Sequence, residues 1–194
     1  TKETVTDFHI GYAPEQGNAL VQFLTKKGFT KNDLTDAGLT NRFGGDLFRG
    51  RMMVPLLDES GQAIGFTGRI IVDDPNAPKY LNTPATLLYD KSRHIFGFSQ
   101  AKEAIRKDGY CVLVEGNLDV VSSHQADVRA VVATAGTALT EHQLRTLVGH
   151  HPSRLLFASA LGGALRAAQA SGGGTWKELF SAFVALDPDV NVIP

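Results

Sequence analysis

The sequence predicts an α/β protein in which a mainly parallel sheet, flanked by helices, is packed against an N-terminal mixed α+β lobe. Two patterns predict this fold class. After Asp108-Gly109, apolar runs of strand length alternate with segments of helical periodicity to the end of the chain, as in proteins with parallel sheets. Between Phe48 and Val72, two apolar runs instead flank Asp58–Gly61, a turn sequence typical of a β-hairpin. We therefore assign residues 1–107 to the first lobe and residues 108–194 to the second.

The element boundaries follow from these periodicities and from the residues that start and stop helices. Gly28 and Gly38 end two helices, and Thr140 with Gln143 forms a capping box that starts another. Segment 73–92 is rich in Pro and Asn, which predicts mostly loop, and the first residues are expected to be irregular. The predicted helices are 18–27, 33–37, 99–107, 118–125, 140–148, 163–169 and 175–185, and the predicted strands are 52–57, 63–71, 111–114, 130–133, 154–158 and 190–193.

The composition is that of an ordinary soluble globular protein. Of the 194 residues, 43% are hydrophobic and 20% are charged. No apolar run reaches the roughly 18 residues of a membrane span, and the N-terminus has no signal-peptide core and no initial Met. The single cysteine, Cys111, lies in an apolar strand, which argues against a disulfide framework or a cysteine-based zinc site. We expect a cytoplasmic fragment with no membrane partner and no zinc.

The net charge of −1 argues against a protein that coats nucleic acid by bulk electrostatics. The charge is nevertheless unevenly distributed. Residues 42–107 contain ten Lys or Arg and seven Asp or Glu, a local charge of +3, whereas the remainder contains nine and thirteen, a local charge of −4. A mildly basic lobe beside an acidic one fits a phosphate-binding surface next to a metal site.

The most informative motif is Glu115-Gly116-Asn117-Leu118-Asp119, which directly follows the apolar run Cys111–Val114. It predicts Glu115 at the C-terminal end of a buried strand and Asp119 in the first turn of the next helix. Ligands bind at this edge of open α/β sheets, and two carboxylates there could hold a divalent metal or transfer protons. The alternative is an exposed strand end and an ordinary first-turn acid, favoured by the helix dipole.

Further stretches resemble a known family. Glu115-Gly116 with Asp119 and the later segment 133–140 look like the TOPRIM domain of bacterial replicative DNA primase, which has a Rossmann-like fold. Upstream, segments 10–14, 48–55, 64–69, 78–84, 89–92 and 95–98 are similar, in order and spacing, to signature stretches of that enzyme's catalytic core. The resemblance covers nearly the whole chain. The family's zinc module and helicase-binding region have no counterpart in it.

The resemblance implies a catalytic-core fragment that synthesises short RNA primers on a single-stranded DNA template from ribonucleoside triphosphates. In an intact family member, two or three Mg²⁺ or Mn²⁺ ions would occupy the TOPRIM acidic cluster, where metals neutralise the triphosphate and align the reacting oxygens. Glu115 and Asp119 would be the catalytic and metal-binding carboxylates. The replicative helicase and the single-strand-binding protein would be partners through regions absent from this sequence.

The resemblance also implies a set of side chains that contact nucleotide and template. Arg and Lys bind phosphates, Tyr can stack a base, and Asn can hydrogen-bond a phosphate or fix its loop. For the charged residues the alternative is an ordinary solvated surface position. The set comprises Arg51, Arg69, Lys79, Tyr80, Asn82 and Lys91.

The sequence departs from the family at its second and third acidic motifs. The family has Asp-x-Asp after the third TOPRIM strand, where this chain has Ala158 and Ala160 in the simplest alignment. Methyl groups cannot coordinate Mg²⁺, so we expect impaired catalysis. Asp187 and Asp189 resemble the third motif, but we interpret them as a turn before a strand, with a metal site as the alternative.

Two other functions remain open at this stage. The chain could be a catalytically dead nucleic-acid-binding module, or another TOPRIM enzyme that cleaves phosphodiesters as a nuclease or topoisomerase does. The upstream stretches, Lys79–Asn82 above all, argue against an isolated TOPRIM enzyme.

Overall fold

A computed structural model describes residues 1–72, 74–134, 139–150, 152, 154–157 and 191–193. The chain forms two compact units. The N-terminal unit comprises Lys2–Leu56 and Gln62–Asp90. The C-terminal unit comprises Thr1, Leu57–Gly61 and Lys91–Pro194. Among the described residues, no helix has the length and apolar character needed to cross a bilayer.

The N-terminal unit is built on a sheet of four strands in sequential order. The two outer pairings, β1 with β2 and β3 with β4, are antiparallel. The predicted hairpin is confirmed by β2 and β3, which are neighbours on either side of the 58–61 turn. The elements are α1 (Lys2–Asp7), β1 (Gly11–Ala13), α2 (Ala19–Lys26), α3 (Lys31–Asp36), β2 (Arg51–Leu57), β3 (Ala63–Ile70) and β4 (Tyr80–Asn82).

The three unpredicted elements of this unit are short. The first residues, expected to be irregular, form α1 and β1, and β4 lies in a segment expected to be mostly loop. β4 forms because its backbone pairs with β3, with Tyr80 opposite Arg69 and Asn82 opposite Thr67. Three-residue strands lack the periodicity that sequence patterns detect.

A buried carboxylate fixes the start of α2. The side chain of Asp46 is 3% exposed, and its two oxygens accept hydrogen bonds from the backbone N–H groups of Leu20 and Val21, each at 2.9 Å. These amides have no partner within the helix. The loop that carries Asp46 is thereby tied to α2.

The C-terminal unit contains a mixed sheet in the order β6-β5-β7-β8. Strand β5 pairs in parallel with β6 and β7, whereas β8 is antiparallel to β7. This confirms the predicted mainly parallel sheet. The elements are α4 (Phe98–Asp108), β5 (Tyr110–Val114), α5 (Asn117–Gln125), β6 (Val131–Ala133), α6 (Glu141–Gly149), β7 (Arg154–Phe157) and β8 (Asn191–Ile193). The helices predicted at 163–169 and 175–185 lie outside the described residues.

Helix α4 belongs to the core of the C-terminal unit. Its apolar face buries Phe98, Ala101 and Ile105 in one cluster with Cys111 and Leu113 of β5. The two units therefore divide after Asp90, whereas the sequence places the boundary after residue 107. The difference arises because α4 packs against the sheet that follows it.

The predicted capping box at the start of α6 is confirmed and also anchors a distant segment. Thr140 Oγ1 accepts from the N–H of Gln143, and Gln143 Oε1 accepts from the N–H of Thr140. The buried Gln143 amide donates to the backbone oxygens of His94 at 2.7 Å and Lys91 at 3.3 Å. Thr140 Oγ1 donates to Ser92 O at 2.6 Å. Helix α6 thus fixes residues 91–94.

His94 should make the stability of the protein depend on pH. Its side chain is 6% exposed, and burial lowers its pKa to about 4. The unfolded chain binds this proton near pH 6.5 but the folded chain only near pH 4. The free energy of unfolding should therefore fall by up to about 3 kcal/mol as the pH drops from 6.5 to 4. Urea unfolding at several pH values, with NMR titration of the His94 ring, measures this effect.

The matched control is His9→Asn, because His9 is exposed. This variant should retain the pH dependence of the parent chain. A His94 ring that titrates above pH 6 in the folded protein would contradict the prediction.

Candidate active site

Strand β5 ends at the acidic turn. Glu115 follows its last residue and is exposed, Gly116 caps the N-terminus of α5, and Asp119 lies in the first helical turn. The N–H of Asp119 donates to Gly116 O at 3.0 Å. A Cβ placed on Gly116 would lie 2.7 Å from Asp119 Oδ2, so the carboxylate folds over the glycine backbone. The structure thus places both acids at the C-terminal end of β5, as the sequence predicts.

Asn117, which the sequence analysis did not select, adds a third oxygen to this turn. Its Oδ1 atom is buried and has no hydrogen-bond partner within the described part of the chain. Buried polar atoms are nearly always hydrogen-bonded, so an orphaned oxygen indicates a group that a ligand can satisfy. The sequence signal that could have identified Asn117 is its position, as a polar residue between the candidate metal ligands Glu115 and Asp119 at a strand-to-helix turn.

The oxygen donors of this turn fit a divalent cation in kind. Mg²⁺ and Mn²⁺ prefer carboxylate and carbonyl oxygens, which Glu115, Asp119 and Asn117 provide. Among the described residues, however, no group of three or more His, Cys, Asp or Glu could hold a metal ion. Within the described residues, this turn alone therefore does not form a metal site. Ala158, Ala160, Asp187 and Asp189 lie outside the described residues.

The predicted basic residues of the N-terminal unit have two different environments. Arg51 is 4% exposed, and one guanidinium nitrogen donates to Gly68 O at 3.3 Å and makes a longer contact of 3.5 Å to Lys79 O. Burial lowers the pKa of Arg51, and the nearby Asp74 carboxylate partly opposes that shift. In this arrangement Arg51 binds the backbone of β3 and of the segment that leads into β4.

Arg69, Lys79 and Tyr80 are exposed together at the β4 edge of the sheet. Arg69 and Tyr80 are directly opposite across β3 and β4, so their side chains share one face. The Lys79 ammonium lies 5.8 Å from the centre of the Tyr80 ring. Asn82, two residues along β4, has a buried Oδ1 with no hydrogen-bond partner in the described chain. The edge offers two cations, an aromatic face and an amide.

Next to this edge, the N-terminal unit has a pocket of about 550 Å³. Charges of both signs line it, together with apolar side chains. The lining includes Glu15, Arg49, Arg51, Asp74, Val72 and Pro78.

Lys91, the remaining predicted basic residue, lies in the C-terminal unit and not with the other three. Its backbone oxygen accepts from Gln143 Nε2, and its side chain is half-buried. The structure thus groups Lys91 with the unit that carries Glu115 and Asp119. The roles of all these side chains stay predictions.

Comparison with known proteins identifies the family. Residues 1–102 match the family model of the DNA primase catalytic core, N-terminal domain, and residues 112–170 match the Toprim-like model. The chain belongs to the DNA primase catalytic-core family. It is 41% identical over 145 residues to a DNA primase of Listeria monocytogenes, an alignment that covers 73% of this chain and 23% of that protein. The chain thus spans about a quarter of that primase.

Solved primase structures have the same fold. The RNA polymerase domain of Mycobacterium tuberculosis primase DnaG, in complex with a double-stranded DNA oligomer with a 6-nucleotide overhang, superposes with a TM-score of 0.75 at 34% identity. That match covers 90% of this chain and 58% of the other. The Aquifex aeolicus primase, with its zinc-binding and RNA polymerase domains, gives a TM-score of 0.80 at 25% identity. It covers all of this chain and 54% of the other. The predicted primase-core fold is confirmed.

Replacing Gly68 should destabilise the primase core. A Cβ on Gly68 would lie 3.0 Å from Arg51 Cδ and Met53 Sδ and 3.1 Å from Phe48 Cδ1. Gly68→Ala therefore has to displace the buried arginine or its neighbours, which should lower the free energy of unfolding by about 1–3 kcal/mol. Urea denaturation measures the change.

Gly11→Ala is the matched control, because Gly11 is also a strand glycine and no atom lies within 4 Å of its added Cβ. Its free energy of unfolding should lie within about 0.5 kcal/mol of that of the parent chain. Equal free energies of unfolding for the two variants would mean that the contact between residue 68 and Arg51 does not affect stability.

Proposed function

We propose that this chain is the part of a DNA primase that synthesises short RNA primers on single-stranded DNA by metal-dependent nucleotidyl transfer. The carrying observation is the acidic turn, where Gly116 lets the Asp119 carboxylate fold back to the strand end that bears Glu115. Membership of the primase family and the basic edge of the N-terminal unit support the proposal.

In this proposal Glu115 and Asp119 hold Mg²⁺ or Mn²⁺. The ion, when bound, neutralises triphosphate charge and aligns the attacking and leaving oxygens. Glu115, exposed at the end of a rigid strand, presents its oxygens to the ion. Asp119 is half-buried against Gly116, which limits the positions its carboxylate can adopt. The orphaned Asn117 oxygen lies between them in sequence.

The exposed residues at the β4 edge bind ribonucleotide and template in this proposal. Lys79 and Arg69 contact phosphates, and Tyr80 presents an aromatic face to a base. Asn82, also on β4, has a buried Oδ1 with no partner in the described chain, which a hydrogen-bond donor of the ligand would satisfy. Arg51 acts indirectly, because its guanidinium binds backbone oxygens and holds Lys79 in position. Lys91, in the C-terminal unit, is also proposed to contact phosphate. The DNA in the M. tuberculosis complex supports a nucleic-acid ligand.

The proposed activity is weak in this chain. In the simplest alignment, Ala158 and Ala160 stand where the resemblance predicts two Asp residues, and a methyl group cannot coordinate a hard cation. The helicase and single-strand-binding protein would be bound by other parts of a primase. A TOPRIM nuclease is the second candidate, but the family match over residues 1–102 favours the primase.

Primer synthesis tests the proposal directly. We expect weak, template-dependent RNA from ribonucleotides on single-stranded DNA with Mn²⁺, and none from Glu115→Gln. The double variant Ala158→Asp/Ala160→Asp should raise the rate by about tenfold or more, because it restores two metal ligands. Absence of template-dependent RNA from the folded double variant would refute the proposed function. Nicking of supercoiled DNA in its place would support the nuclease.

Lys79→Ala should weaken nucleotide and single-stranded DNA binding by about 5-fold. It should also reduce, by about one, the slope of the logarithm of the DNA binding constant against the logarithm of the salt concentration. Lys79 is exposed, so the variant should unfold at the same urea concentration as the parent chain. The measurement is fluorescence anisotropy at several salt concentrations. Lys107→Ala, a control that removes an exposed lysine from the end of α4, should bind as the parent does. Equal affinities for both variants would remove Lys79 from the site.

A further inference from the structure

The loop between α3 and β2 presents an aromatic side chain to solvent. Phe43 is 83% exposed, more than any other aromatic residue in the described part of the chain. The guanidinium carbon of Arg42 lies 4.6 Å from the centre of the Phe43 ring. Burying a phenylalanine is normally favourable by about 1.5–3 kcal/mol. A single exposed apolar residue is common on protein surfaces, and only its surroundings can mark it as a binding position.

The surrounding loop holds this tip in one conformation. Asn41 Oδ1 accepts hydrogen bonds from the N–H groups of Phe43 at 2.8 Å and Gly45 at 3.3 Å. Asn41 Nδ2 donates to Asp46 O at 3.1 Å, and the Asp46 carboxylate binds the N-terminus of α2. The backbone of Phe43 is therefore ordered before any ligand arrives, and binding there would cost little conformational entropy.

The base of the loop adjoins another arginine. A Cβ on Gly45 would lie 2.7 Å from Gly17 O, and a Cβ on Gly17 would lie 3.6 Å from a guanidinium nitrogen of Arg49. Arg49 also lines the pocket of the N-terminal unit. Neither Arg42 nor Arg49 forms an ion pair with an acidic side chain within the described ranges. The tip thus carries an aromatic ring beside Arg42, and Arg49 lies near the base of the loop.

We propose that Phe43 stacks on an unpaired base of single-stranded DNA while Arg42 contacts an adjacent phosphate. The inference rests on the proposed function, to which it adds a binding position outside the β4 edge. An aromatic ring accepts any base on its face, and such stacking contributes about 1–3 kcal/mol. An arginine stacked on the ring keeps its N–H donors for phosphate oxygens.

The test compares DNA with and without bases. The 194-residue chain is titrated with labelled oligothymidylate and with an abasic oligonucleotide of the same length. Phe43→Ala should weaken oligothymidylate binding by about tenfold and leave abasic binding unchanged, because only the first ligand has bases to stack. Arg42→Ala should weaken binding of both oligonucleotides by similar factors. It should also lower, by about one, the slope of the logarithm of the binding constant against the logarithm of the salt concentration. Phe43→Trp should restore affinity and show more fluorescence quenching by oligothymidylate than the parent chain.

Phe23→Ala is the matched control. Phe23 is also exposed and has a cation near its ring, since Lys27 Nζ lies 5.7 Å from the ring centre, but it lies on helix α2. It should bind both oligonucleotides as the parent does. Unchanged oligothymidylate binding by Phe43→Ala, or equal losses for Phe23→Ala, would overturn the stacking site and leave the proposed function standing. Absence of DNA binding by the parent chain would overturn both.

Discussion

The close approach of the Asp119 carboxylate to the backbone of Gly116 is the constraint on which the candidate active site depends. With Asp119 in this position, a Cβ on residue 116 would lie 2.7 Å from Asp119 Oδ2, so a larger residue there would displace the carboxylate. The residues on either side of the turn are also held by packing, because Val114 before it and Val120 after it are buried. Val120 in turn lies against Gly97, the cap of α4, where an added Cβ would be 2.6 Å from Val120 Cγ1. The position of the two acids is thus set by the packing of three elements of the C-terminal unit.

A comparable constraint in the N-terminal unit separates buried from exposed arginines. The Arg51 side chain passes over Gly68, which has no side chain to block it, and donates to backbone oxygens. Buried charges are tolerated where such bonds replace water. Arg69 points to the opposite face, where it lies beside Tyr80 in solvent. The two arginines therefore have different roles. Arg51 stabilises the sheet edge from inside, and Arg69 is exposed and available to an anion.

Local signals account for what the sequence predicted correctly. The 58–61 turn, the Thr140–Gln143 capping box and the strand-to-helix motif at Glu115 are each specified by a few neighbouring residues, and the structure has all three. Features set by distant contacts were missed. Strand β4 needs β3 as its partner, α4 joins the later sheet through apolar packing, and the burial of Arg51 depends on Gly68 seventeen residues away. For Asn117 the sequence offered only its position between two candidate ligands, and the exposure of the Phe43 ring has no sequence pattern.

The described contacts of β7 in the C-terminal unit are made by backbone pairing and apolar side chains, and not by carboxylates. Strand β7 pairs with β5 through residues 154–157, and Leu155 and Leu156 are buried. Clustered carboxylates repel one another when no cation is bound, so an acidic site reduces the stability of the fold that carries it. Exchanging two such acids for alanine removes this repulsion and leaves the apolar contacts of β7 in place. In the proposed function, metal binding would thus depend on side chains other than those that pack β7, so a primase core could keep this strand pairing with an incomplete acidic cluster.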